Sequence, residues 1–392
     1  MSSNQEPLAA HNQSGRAQRV NLDAGGNARL TTLGRTAYLQ ALDDGWADHR
    51  RLHHEGRRAR ALYDGAREAV ASVLGARTDE VFFAPSPTAA FHAVIPALLA
   101  GHKRKGNLVV ASRIERAAVL NALEFSNATE HLVTVDERGF VDPDGFSAAV
   151  AQPGVAFAAL QQANHEVATL QPLDHAREAC TKAGVPLLVD ATASLTHVAP
   201  PTGLWDALIA SPADWGGGQG VGVLALKSRA RARRVWPEDQ DAWFPGGASL
   251  PAIFAAAVTL QEAESLRKER AQLHTELIDS IRRAAALLPD TEVLGDPFNR
   301  LPHMCTFSCL YVDSEALMAQ FDALGFAVGS GSACTSASLE PSHVLAAMGV
   351  LTHGNVRVTL DWDVTREQVA RFVQVLPQAV AQVRGEMGVT GL

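Results

Sequence analysis

From about residue 20 to residue 250 the chain alternates short apolar runs with amphipathic ones. This alternation limits the possible folds more than any other feature of the sequence. Val20 to Asp23, Val81 to Phe83, Leu108 to Ala111, Gly154 to Leu160 and Pro186 to Val189 read as strands bounded by polar or Gly/Pro-containing stretches. Residues 53–75 read as a helix, with Ala59, Leu62, Ala66, Val70 and Val73 on one face and arginines on the other. Strands spaced by helices predict an α/β fold: a mostly parallel sheet with helices on both faces.

The C-terminal part repeats the alternation on a smaller scale. Residues 251–287 predict one long helix that joins two domains. His303 to Tyr311, Ala327 to Val328 and Asn355 to Thr359 predict strands. Ser314 to Leu324 and Thr365 to Ala379 predict helices, the second with Thr365 as its N-cap. The expected organisation is a polar, disordered tail over 1–18, a large domain over 19–262 and a small α/β domain over 263–392. A net charge of −8 argues against nucleic-acid binding. No apolar stretch is long enough to predict a membrane span, and the N-terminus has no apolar signal core. Cys180, Cys305, Cys309 and Cys334 show no metal-binding spacing and suggest a reducing, cytoplasmic setting. His49, His53 and His54 lie on a basic, solvated face, so no metal site is expected from the sequence. The glycine run Gly216 to Gly222 lacks the lysine of a phosphate loop and precedes a strand, which predicts a tight turn against the sheet.

The stretch Gly329 to Gly349 stands apart. Small residues crowd its first half and leave little side chain to bury, which predicts a loop presenting the Cys334 thiol. From Glu340 the pattern turns helical, with Pro341 suited to a first turn. The run Ser330 to Ser342, SGSACTSASLEPS, resembles the active-site loop of NifS/IscS-type cysteine desulfurases, where the cysteine forms a persulfide. The resemblance extends from about residue 20 to the C-terminus. It implies the pyridoxal-phosphate transferase (class V aminotransferase) fold, a homodimer, and a sulfur acceptor or iron–sulfur assembly protein as a partner.

Residue by residue, the resemblance implies that Cys334 and Arg357 are catalytic. Arg357 would clamp a substrate carboxylate by a two-pronged contact. It assigns cofactor-binding positions to Thr88, Asn164, Asp190 and Ser211, with Asp190 facing the pyridinium nitrogen. Other positions depart from the family pattern. Arg116 stands where the family has a ring-stacking histidine, and Asp214 where it has the lysine that carries pyridoxal phosphate as a Schiff base. Ala193, Ala213 and Gly247 replace further cofactor contacts. A carboxylate forms no imine, so covalent cofactor binding is expected to be absent. The expected function is sulfur handling, as a persulfide carrier or a partner of a true desulfurase. An active desulfurase or lyase with non-covalent cofactor, and a structural dimer with a relic loop, are the alternatives. In the altered site, Arg116 is expected to pair with Asp190, Asp214 or both and to fill the cofactor space.

Overall fold

The structure, a computed structural model, describes residues 19–236, 243–331 and 341–389. The expected tail over 1–18 and Cys334 lie outside the described residues.

The large sheet has the order β2-β8-β7-β6-β5-β3-β4. Its strands are β2 (Val81–Ala84), β3 (Leu108–Ser112), β4 (Thr129–Val133), β5 (Val155–Gln161), β6 (Leu187–Asp190), β7 (Ala207–Ala210) and β8 (Gly222–Leu226). Only β8 runs against the others, so the sheet is mostly parallel. Every residue of β5, β6, β7 and β8 is buried, as strands covered on both faces require. One apolar layer packs α2 (His54–Leu74), α5 (Pro143–Val150) and α6 (Leu173–Ala183) on one face; the other packs α3 (Pro87–His102) and α4 (Ala117–Phe125). The ends of α2 follow from its sequence. His53 Nδ1 accepts from the Gly56 amide at 3.2 Å, and Gly75 closes the helix at φ 62°, where a side chain would be strained.

A second core holds β1 (Val20–Leu22), β10 (Met304–Cys309), β12 (Asn355–Thr359), α8 (Ser314–Ala323) and α10 (Arg366–Glu386). β1 pairs in parallel with β11 (Phe326–Val328), so the first strand belongs to this core rather than to the large domain expected from residue 19. The helix α7 (Leu250–Ala286) joins the two cores. Ala252 to Ala263 bury against the large sheet, and Leu277 to Ala285 bury in the second core. The expected boundary at 262/263 therefore falls inside one continuous helix.

Two helix ends differ from expectation. α10 runs on to Glu386, because Val380 and Val383 still face the core. It starts as expected at Thr365, which forms a capping box with Gln368. Pro341 precedes its helix rather than opening it: Ser342 is the cap, its hydroxyl accepts the Leu345 amide at 3.2 Å, and α9 spans His343–Met348. Among the described residues no helix is long and apolar enough to cross a membrane.

The glycine run packs tightly, as expected. A Cβ on Gly217 would lie 3.0 Å from the Ala256 Cα of α7. A Cβ on Gly222 would lie 2.5 Å from the Ser86 carbonyl carbon and 2.6 Å from Pro87 N, both backbone atoms at the start of α3. Gly222→Ala should therefore lower stability by about 1–3 kcal/mol, measured by denaturant unfolding. An unchanged midpoint would show that the α3 start can move freely.

Candidate functional site

The parallel strands all end at one edge of the sheet, and side chains from the loops that follow converge there, as open α/β sheets favour. They line a cavity of about 270 Å³ together with Met304 and Arg357 of the second core and Gly25 and Gly26 of the loop after β1. Thr88 enters from the first turn of α3, Arg116 from the cap position of α4, and Ser211 and Asp214 from the turn after β7. The sequence therefore brings Thr88, Arg116, Ser211, Asp214 and Arg357 into one space.

Asp190 lies at the inner end of β6, 5% exposed. One carboxylate oxygen accepts from the Thr192 amide at 2.8 Å and the Thr192 hydroxyl at 2.6 Å. The other accepts from Arg116 Nε at 3.3 Å, forming the expected ion pair. Asp214 does not join it. Its Oδ1 accepts from the Gly26 amide at 3.2 Å, and its Oδ2 lies 3.2 Å from His197 Nε2. Of the expected alternatives, Arg116 takes the Asp190 pair alone, and the loop after β6 supplies Asp214 with a histidine. Nor does Arg116 fill the space, since its guanidinium is drawn to Asp190 and the cavity beside it stays open.

Asn164 is fully buried and does not line the cavity. Its Oδ1 accepts from the Glu166 and Val167 amides, both at 2.8 Å, and its Nδ2 donates to the Ile114 carbonyl at 3.2 Å. It shapes the loop that carries His165. Ala168, in the same loop, takes a left-handed φ of 70°, a conformation that favours glycine.

Arg357 Nη2 lies 3.3 Å from Asp23 Oδ1, and its Nη1 donates to the His165 carbonyl at 3.4 Å. Its Nε is buried without a hydrogen-bond partner. Glu166 approaches both ends of the stretch that contains Cys334, bonding one of them. Ser342 donates to Glu166 Oε2 at 2.5 Å, and a Cβ on Gly331 would lie 2.6 Å from the same oxygen. The Gly331 amide is fixed by Asn355 Oδ1 at 2.7 Å. Sequence spacing gave no signal for His165, His197 or Thr192, which reach the site through loops rather than through periodic elements.

Burial disturbs the acids and bases here. Glu115, fully buried beside Asp190, is pushed up to about 8, mainly by burial and then by the Asp190 charge. Glu166 is raised to about 7 by burial, against the opposing Ser342 hydrogen bond and Arg357 charge. Burial holds His165 well below its ordinary value, so it is neutral near pH 7.

The class V aminotransferase family model matches residues 37–372. A cysteine desulfurase of Cereibacter sphaeroides is 32% identical over 387 residues, covering 94% of this chain and 97% of the relative. The chain belongs to the cysteine desulfurase family. A second member, the cysteine desulfurase NifS of Azotobacter vinelandii, is 32% identical over 351 residues and covers 85% of each chain. A solved NifS-like protein superposes with a TM-score of 0.85 at 21% identity, covering 93% of this chain and all of that one, and shows the same fold.

The family implies pyridoxal phosphate. Amides at the α3 N-terminus, with Thr88 and Ser211 beside them, suit its phosphate. Among the described residues no lysine lines the cavity, and the Lys227 ammonium sits 4.3 Å from the centroid of the Trp205 ring. The cavity thus suits the phosphate end of the cofactor.

The ion pair and the buried acids can be tested separately. Arg116→Ala should cost about 1.5–3 kcal/mol, the range for a hydrogen bond to a charged group, because the arginine is 30% exposed while Asp190 is buried. For Glu115 the folded value lies above the unfolded one. Its stabilising contribution is therefore complete below about pH 4.5 and is lost as pH rises towards about 8. Melting curves of Glu115→Gln and the parent chain should diverge in favour of the variant across that window. A constant difference would place Glu115 in a solvated setting.

Proposed function

We propose that this member of the cysteine desulfurase family handles persulfide sulfur without a lysine-bound cofactor. In this reading Asp214 occupies the position of the family's cofactor lysine. The observation that supports it best is the network in the cavity: Arg116 serves Asp190, His197 and the Gly26 amide serve Asp214, and no amine faces the space. The working group is the Cys334 thiolate. It attacks the terminal sulfur of a donor persulfide, the donor's S–S bond breaks, and the donor leaves as a thiolate. A new persulfide remains on Cys334, and no external oxidant is consumed. The family resemblance makes an acceptor protein the next station for that sulfur.

A homodimer belongs to the same proposal. Leu39 and Leu42 on α1 (Thr32–Asp44), together with Trp46 and Leu52, form an exposed apolar surface; Trp46 is 70% exposed and Leu52 88%. A second reading, desulfuration of L-cysteine with non-covalent pyridoxal phosphate, is supported by the open cavity at the α3 N-terminus. Arg357 would then hold the substrate carboxylate, in competition with Asp23.

Incubation with glutathione persulfide, followed by peptide mass spectrometry, separates the readings. Cys334 should gain one sulfur atom and lose it to a thiol acceptor, while the buried Cys180, Cys305 and Cys309 stay unmodified. No sulfide should be released from L-cysteine with added pyridoxal phosphate. Sulfide release that depends on Cys334 would favour the second reading, and equal labelling of Cys334 and Cys305 would remove the carrier role.

A further inference from the structure

Behind Asp214, on the side away from the cavity, polar side chains meet from three parts of the chain. His197 comes from the loop after β6, Asp214 from the turn after β7, and His303 from the residue before β10 in the second core. One ligand atom from each lies within 4.8 Å of the others. His303 is 1% exposed, and neither of its ring nitrogens has a hydrogen-bond partner. Asp214 Oδ2 is likewise buried without a hydrogen-bond donor, although His197 Nε2 is 3.2 Å away. Buried polar atoms are nearly always satisfied, so two unsatisfied groups facing one place call for a partner. His197 and Asp214 also border, with His274 of α7, a neighbouring void of about 20 Å³ that His303 does not line.

We propose that His197, Asp214 and His303 bind one first-row transition dication of the zinc class. Two imidazoles and one carboxylate form a borderline nitrogen/oxygen set, which suits zinc and its neighbours and disfavours magnesium and calcium. The His197 and His303 rings stack with centroids 3.4 Å apart and 11° between planes. Stacked in this way, the two rings do not aim their in-plane lone pairs at one point, so binding one ion requires one ring to rotate out of the stack. Arg270 also lines the void and opposes a cation; the Asp214 carboxylate offsets that charge. Since His303 belongs to the second core and the other two ligands to the large domain, the ion would fasten the two cores together beside the cavity. The proposal does not require the sulfur-handling reading, although both draw on His197 and Asp214.

The sequence suggested no metal site because these ligands are scattered along the chain with no short spacing to mark them. The test uses the full-length chain carrying Cys334→Ser, which removes a competing thiol. After chelator treatment and dialysis it is titrated with zinc chloride by calorimetry, and its melting temperature is followed. One zinc ion per chain should bind and raise the melting temperature. Loss of a ligand should weaken binding at least as much as loss of an outer-shell partner, about 100-fold, so His303→Ala should show that drop. Asp214→Asn, nearly isosteric, should show the same loss and serves if His303→Ala fails to fold. Absence of stoichiometric binding, or unchanged affinity in either folded variant, overturns the site.

Discussion

Asp190 puts a carboxylate at the buried end of a central strand, and a buried charge must be partnered. Much of the surrounding arrangement follows from that constraint. Thr192 supplies an amide and a hydroxyl to one oxygen, and Arg116 supplies a guanidinium to the other. Glu115, next to Arg116 in sequence, is favoured in its neutral form first by burial and then by the Asp190 charge. The arginine is committed to Asp190, so Asp214 depends on His197 and a backbone amide. The result is a site at the sheet edge whose charges are largely answered by protein groups while a space remains beside them.

The fold makes this convergence possible. Six strands run one way, so their following loops meet at one edge, and α7 fixes the second core over that edge by burying its two halves in different cores. Arg357 and Met304 reach the cavity from the second core, and Glu166 accepts a hydrogen bond from Ser342. A change in how the two cores sit would therefore alter the cavity.

Most strands (though not β7 or the three-residue Thr291–Val293), the long joining helix and the turn after β7 were legible in the sequence, because apolar periodicity and glycine placement report burial directly. β4 was not read: it lies at the sheet edge, and its first residues are exposed, so its pattern is diluted. α1 escaped for a similar reason, with only Gly34, Ala37 and Ala41 buried. The Arg116–Asp190 pair could be expected because the family resemblance places both positions around the cofactor ring. The His197 partner of Asp214 could not, since it arrives through an irregular loop, and neither could the internal bonding of Asn164. The first strand was placed with the wrong core because a three-residue strand carries no sign of its pairing partner.

The central proposal is that no lysine of this chain carries the cofactor aldehyde as a Schiff base. Its most direct test is borohydride reduction of the purified chain in the presence of pyridoxal phosphate, followed by peptide mapping. No pyridoxyl group should appear above the level of a surface-lysine control. A stoichiometric pyridoxyl adduct on Lys103, Lys105, Lys182, Lys227 or Lys268 that borohydride fixes would contradict it.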